Sequence, residues 1–334
     1  MSGKIRVGLL GATGLIGQYY TSLFHNHPRF ELVFLAASDQ HYKKRYEDAV
    51  QWHLDVPMPT GLLLSKLGEL PQVDLLFSAL PTSLAEKFEP YYARAGIGVL
   101  SHASCFRDNP DIPLIIPEIN PHHLNVLTAQ RKQRGWSGFI VAKPNCTLQS
   151  FLLPLAPLHK KFGLQKLFVT TFQSLSGAGK EGLNNPALRE NVVPHIDGEE
   201  RKNEKEPLKI LGEVGNGVIL PVENIVISAH CNRVPTIYGH LTACSVAFSS
   251  HPSEEEIKAV WREFYPPLIS YIEECDRPQP KLDLREGMGV TVGRLRPCPL
   301  FDYRFVALSH NTMRGGAGGG ILIAELLNRE GYIG

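Results

Sequence analysis

The sequence predicts an α/β chain of two domains, first a parallel-sheet domain and then an α+β domain with a mostly antiparallel sheet. Three observations predict it. At 334 residues the chain can fill two cores of roughly 150 residues each. Up to residue 144, continuous apolar strands alternate with helical segments, the pattern of parallel strands buried on both faces. Beyond it the strands alternate instead, as in "CSVAFSS" and "RFVALSH", and read as half-buried.

Taken in order, "KIRVGLLGATGLIGQYYTSLFHNH" is strand, tight turn and helix. Gly11 permits the turn, Gly14 lets the backbone approach a pyrophosphate, and Gly17 lets the helix pack closely on the strand. The helix N-terminus then offers N–H groups to phosphate. A second strand, "ELVFLAAS", ends about 20 residues on, followed by "VDLLFSAL", the helical "SLAEKFEPYYARAG" and "GVLSHAS". "FSALPT" closes one of these strands, so Ser78 to Thr82 line the cleft beyond the carboxyl ends. Residues 1–144 read as a Rossmann-like dinucleotide-binding domain completed by the C-terminal helix, 315–334. Residues 145–314 read as the catalytic domain.

Composition narrows the partners. Lys plus Arg (34) balance Asp plus Glu (33), so a net charge of +1 gives no electrostatic grip on nucleic acid. "YKKRY" and "HKKFG" are short enough to be solvated faces. No apolar run is long enough to cross a membrane, and "MSGK" passes into a strand without a secretory pattern. The six cysteines show no CxxC spacing, which predicts no metal site, no disulfide framework and a reducing, cytoplasmic setting.

The chemistry centres on "AKPNCTLQSFLLPL", residues 142–155. Asn145 is a strong N-cap, and Leu148, Phe151, Leu152, Leu155 and Leu158 follow at helical spacing. Pro154 and Pro157 are expected to bend or break this helix. Cys146 would sit in its first turn, where the positive end of the dipole favours a thiolate. Downstream, "LFVTTFQSLSGAGKEG" supplies Gln173 before a glycine-rich turn, and "NRVPTIYGHLTACSVAF" supplies Arg233 and His240. Cysteine with histidine makes a nucleophile and a proton carrier, and arginine makes a bidentate carboxylate anchor.

Over nearly its whole length the chain resembles the aspartate-β-semialdehyde dehydrogenase family, in its archaeal and fungal-type branch. The resemblance rests on "GLLGATGLIGQ", "FSALP", "HASCFRDNPDIPLIIPEINPHHL", "GFIVAKPNCT", "TTFQSLSGAG", "ENVVPHIDGEERKNEKEPLKILGE", "NRVPTIYGH" and "HNTMRGGAGGGILIAELL". It implies Cys146 as the nucleophile that forms a thioester, His240 as general acid/base and Gln173 as the residue orienting substrate. Arg233 would grip the substrate carboxylate and Glu199 its ammonium, with Arg107 and Lys202 on the phosphate. Gly11, Thr13, Gly14, Leu15, Ile16, Gly17, Ser38, Pro81, Ser176, Gly177 and Asn311 would bind NADP. The implied reaction is reductive dephosphorylation of L-4-aspartyl phosphate, releasing inorganic phosphate, in a homodimer or homotetramer.

Several positions depart from the family pattern. Gln40 stands where an Arg commonly clamps the 2′-phosphate, and Asp39 favours a free ribose hydroxyl, so NAD stays open beside NADP. Lys43, Lys44 and Arg45 pull the other way. His102 stands where "SNAS" is usual, Tyr238 where "DGH" is usual, and "GHLT" lacks the Glu that commonly follows. The rival readings are a reductase of malonyl-CoA or N-acetylglutamyl phosphate, and a weakly catalytic cofactor-binding paralogue. An acyl-CoA needs no ammonium partner, so Glu199 and Lys202 count against the first; the intact Cys146, Gln173, Arg233 and His240 count against the second.

Overall fold

The run "IRVGLL" forms β1 (Ile5–Leu10), buried along all but Arg6, as a strand covered on both faces must be. The structure, a computed structural model, describes residues 3–264, 268–284 and 286–334. These divide into two units.

The first unit reaches to Pro144 and adds Glu213–Leu220 and Ala317–Gly334. Its sheet joins β1 to β2 (Phe30–Ala37), β3 (Leu64–Lys66), β4 (Leu75–Ser78), β5 (Gly98–Ser101) and β6 (Phe139–Ala142). All pairs are parallel, in the order β3-β2-β1-β4-β5-β6. Helices α1 (Leu15–Phe24), α2 (Tyr46–Ala49), α3 (Thr82–Arg94) and α4 (Leu127–Arg134) lie along its connections, and α10 (Gly318–Arg329) returns to it. The strand order reverses between β1 and β4, the switch point at which such sheets take ligands. The hairpin β8 (Glu213–Gly215) and β9 (Val218–Leu220) falls in this unit, whereas the sequence boundaries give it to the second. Ile219 N–H donates to the Pro110 carbonyl at 2.8 Å, a long-range backbone bond that no local pattern announces.

The second unit comprises Asn145–Gly212 and Pro221–Gly316. Its sheet is built from β7 (Leu164–Gln173), β10 (Val226–Arg233), β11 (His240–Phe248), β12 (Ile269–Ile272), β13 (Val290–Pro297) and β14 (Tyr303–Ser309), in the order β10-β7-β11-β14-β13-β12. The three inner pairings are antiparallel, as expected, but both outer pairings are parallel, so the sheet is mixed. A parallel pair needs a long crossover, and β7 reaches β10 through α6 (Gly179–Asn184) and α7 (Glu199–Ile210). α8 (Glu254–Glu263), opened by a Ser253–Glu256 capping box, and the short α9 (Pro280–Asp283) complete the unit.

α5 (Leu148–Phe162) corrects one expectation. It runs unbroken through Pro154 and Pro157. Every residue from Leu148 to Leu158 is buried, so packing outweighs the roughly 3 kcal/mol that an interior proline costs. Trp261 Nε1–H donates to the Pro154 carbonyl at 2.9 Å and ties α8 to the helix there.

Candidate active site

The first unit fits a dinucleotide. Gly11 has φ +78°, and a Cβ there would lie 2.7 Å from the Ala79 carbonyl oxygen. A Cβ on Gly17 would lie 2.4 Å from the Gly11 oxygen, so the turn and α1 meet only through glycine. α1 starts after Gly14 with no side-chain cap and no acidic residue in its first turn, which leaves its positive end open to an anion. Thr13 and Ile16 are half-buried on this turn, Leu15 is buried beneath it, Ser38 follows β2, and Pro81 caps α3. Asp39 and Gln40 are exposed beside Ser38. The backbone of Lys43 and Lys44 pairs with Leu64, and the Lys43 ammonium stands 5.2 Å from the Tyr42 ring centre.

Also in this unit, Arg107 Nη2 donates to the His102 carbonyl at 2.7 Å. The departure at His102 has a structural partner: its Nε2 lies 2.6 Å from the buried Tyr20 hydroxyl. Burial, with Lys143 and Arg107 nearby, holds His102 well below the usual histidine range.

In the second unit, topology brings three predicted side chains to one end of the sheet. Gln173 closes β7, and Arg233 closes β10 as its parallel register partner. His240 opens β11, which runs antiparallel to β7 with Leu241 opposite Phe172. Cys146 comes to the same end from the turn before α5. That turn lies outside the helix proper, whereas the sequence places Cys146 in its first turn. The capping role of Asn145 survives in another form, since its Oδ1 accepts from Thr147 N–H at 2.9 Å.

Cys146 Sγ lies 3.2 Å from His240 Nε2. On the other ring nitrogen, Nδ1 accepts from the Ser174 backbone N–H at 3.2 Å, with the Ser174 hydroxyl at 3.3 Å. A backbone N–H only donates, so Nδ1 carries no proton and the neutral ring holds its proton on Nε2, facing sulfur. Burial, then the Arg233 charge, pushes the His240 pKa down to about 3, which keeps it neutral. Arg233 is buried and anchored by Nη1 to the Ser174 carbonyl at 2.8 Å. A Cβ on Gly177 would lie 2.8 Å from that Nη1 and 2.9 Å from His240 Cε1, so only glycine fits between them. Asn311 braces the same loops, accepting from Gly239 N–H at 2.9 Å and donating to Ser176 Oγ at 2.9 Å. Tyr238 packs its ring against His310, centre to centre 5.4 Å.

The run "GEERKNEKE" reads as a solvated charged stretch, yet α7 turns a polar face inward. Glu199 is 8% exposed, and Asn203 and Glu206 are also buried. The Glu199 carboxylate accepts from Asn145 Nδ2 at 2.9 Å to each oxygen, from Gln173 Nε2 at 3.0 Å and from Lys202 Nζ at 2.8 Å. Burial pushes its pKa up, but the Lys202 charge and these donors outweigh it and hold the carboxylate below its ordinary value. Sequence reasoning missed Ser174 and Glu206. For Glu206 a signal exists, since it lies seven residues after Glu199 and shares its helix face.

A dinucleotide-type sheet in one unit and a neutral histidine against a cysteine in the other are the parts of a two-unit dehydrogenase. The chain belongs to the semialdehyde dehydrogenase family. Residues 6–127 match the family's NAD binding domain and residues 155–314 its dimerisation domain. The aspartate-semialdehyde dehydrogenase of Archaeoglobus fulgidus is 43% identical, over 99% of this chain and 100% of the relative. Malonyl CoA reductase (NADP) of Metallosphaera sedula is 35% identical over 100% of this chain and 99% of its own length. The crystal structure of aspartate semialdehyde dehydrogenase with NADP from Candida albicans superposes with a TM-score of 0.90 at 36% identity, covering 99% of this chain and 100% of that one.

Proposed function

We propose that the chain reduces L-4-aspartyl phosphate to L-aspartate 4-semialdehyde with NADPH, through a thioester on Cys146. The observation that carries this is the His240 Nε2–H aimed at Cys146 Sγ across 3.2 Å, beside the buried Glu199 carboxylate. Arg233 binds the substrate carboxylate, Glu199 and Gln173 orient its ammonium end, and Lys202 takes the phosphate. The Cys146 thiolate attacks the acyl carbon; the C–O bond to phosphate breaks, and phosphate leaves as the dianion, taking up one proton from solvent. When bound, reduced NADP would supply the hydride that turns the thioester into the alkoxide of a hemithioacetal. Its C–S bond then breaks, releasing the aldehyde and restoring the thiolate, which the His240 N–H stabilises in both steps. His240 acts here as a donor toward sulfur, narrower than a general acid/base.

The glycine turn with Thr13, Leu15 and Ile16, together with Ser38 and Pro81, forms the NADP site of the first unit. The family's dimerisation domain and the exposed Phe168 and Val226 on β7 and β10 support a homo-oligomer built on the second unit. Among the described residues no helix is long and apolar enough to cross a membrane, and none of the six cysteines is in a disulfide; the cytoplasm is the setting proposed for the enzyme.

The test is NADP reduction by aspartate semialdehyde with and without inorganic phosphate, beside NADPH oxidation by malonyl-CoA. Phosphate-dependent turnover of the semialdehyde alone is expected. Turnover of malonyl-CoA in its place would overturn the assignment.

A further inference from the structure

We infer that Glu206 is a positioning residue for the nucleophile, working through the peptide of Asn145. This deepens the reading of the Cys146 site and rests on it. Glu206 lies on α7 and is 3% exposed. Its Oε2 accepts from Asn145 N–H at 2.7 Å, across 61 residues of sequence. Glu199, two turns earlier on the same face, holds the Asn145 side chain through Nδ2 at 2.9 Å. The remaining polar atoms of Asn145 are engaged as well. Its Oδ1 takes Thr147 N–H at 2.9 Å and its carbonyl takes Leu148 N–H at 3.2 Å. All four hydrogen-bonding groups of the residue preceding Cys146 are therefore committed, two of them to carboxylates of one helix. Opposite, a Cβ on Gly315 would lie 2.9 Å from both Cys146 Cβ and its carbonyl oxygen, so the turn has no room to retreat.

Burying a carboxylate is costly unless its acceptors are used, and a negative charge near a thiol disfavours the thiolate. Electrostatics alone therefore argues against Glu206 beside this nucleophile. Its contribution is geometric: it fixes the peptide from which Cys146 reaches His240. Charge and reach can be separated by two substitutions. Glu206→Gln keeps the length and an oxygen acceptor but removes the charge, while Glu206→Asp keeps the charge but withdraws the carboxylate by one methylene.

The experiment measures, on the full-length protein, the rate at which iodoacetamide carboxamidomethylates Cys146, read by mass spectrometry of its peptide, together with kcat and KM for aspartate semialdehyde. Glu206→Asp and Glu206→Ala should slow both alkylation and kcat by about tenfold to a hundredfold while KM moves far less, since a small misplacement of a reacting atom costs that much. Glu206→Gln should stay within about threefold of wild type on both. Wild-type rates in Glu206→Asp, or a Glu206→Gln variant that falls as far as Glu206→Asp, would overturn the inference. Should Glu206→Ala fail to fold, the Gln and Asp variants still decide. The alkylation contrast does not depend on substrate, so an inactive wild type that keeps it would sink the substrate assignment and leave the positioning role standing.

Discussion

The backbone N–H of Ser174 donates to His240 Nδ1 at 3.2 Å, and this one bond decides which way the histidine can act. It fixes the proton on Nε2 and sets the ring as a donor to Cys146. The pairing is a neutral histidine N–H against the Cys146 sulfur, rather than an imidazolium.

The first consequence is a pH dependence. His240 is held neutral down to about 3, against 6.5 for an ordinary histidine. The unfolded chain binds a proton there that the folded chain refuses. Its stability is therefore complete above 6.5 and falls as pH drops toward the folded value, by up to about 1.4 kcal/mol per pH unit. His240→Asn should lower the steepness of acid unfolding by one such increment, read from urea melts across that window. An unchanged slope would show that the histidine is protonated in the fold.

Cys146→Ser should reduce kcat by orders of magnitude and leave NADP binding intact, because a hydroxyl near neutral pH is a far poorer nucleophile than a thiolate. Stopped-flow turnover with a fluorescence titration of NADP separates the two. Near-wild-type turnover in the serine variant would end the thioester mechanism.

Arg233 is buried and tied to the Ser174 carbonyl, so its guanidinium is fixed before substrate arrives. Arg233→Leu should weaken kcat/KM for aspartate semialdehyde by roughly 2–5 kcal/mol, and Arg233→Lys should restore only part of it. The control is a substrate analogue lacking the α-carboxylate: if it loses as much, Arg233 does not bind that group.

We expect cofactor choice to turn on the loop after β2. Gln40 is exposed and uncharged, while the Lys43 backbone is pinned to Leu64 and its ammonium rests on Tyr42. A clamp made from such lysines is loose and salt-sensitive, so the preference for NADP over NAD should be about tenfold or less, or about 1.4 kcal/mol. Gln40→Arg should sharpen it, and neutralising Lys43 and Lys44 together should shift it toward NAD. The ratio of kcat/KM for the two cofactors at low and high salt measures this. A preference beyond about a thousandfold that neither change moves would place the ribose elsewhere.

What the sequence determined by itself is local. Gly11, Gly14 and Gly17 between a β-branched run and a helical pattern require a strand, a turn and a close-packed helix, whatever surrounds them. The unbroken apolar strands of the first unit require a sheet buried on both faces, and the alternation in β11 and β14 requires a sheet with one face buried. Tertiary structure decided the rest, because the forces concerned act between residues far apart in the chain. Pro154 and Pro157 stay inside α5 because packing around that helix outweighs their local cost. The charged run of α7 turns inward because Asn145 and Gln173 join Lys202 on Glu199, and no periodicity within the run records those two distant partners. The proton on His240 is placed by Ser174, 66 residues earlier, through a backbone group that sequence does not distinguish from any other.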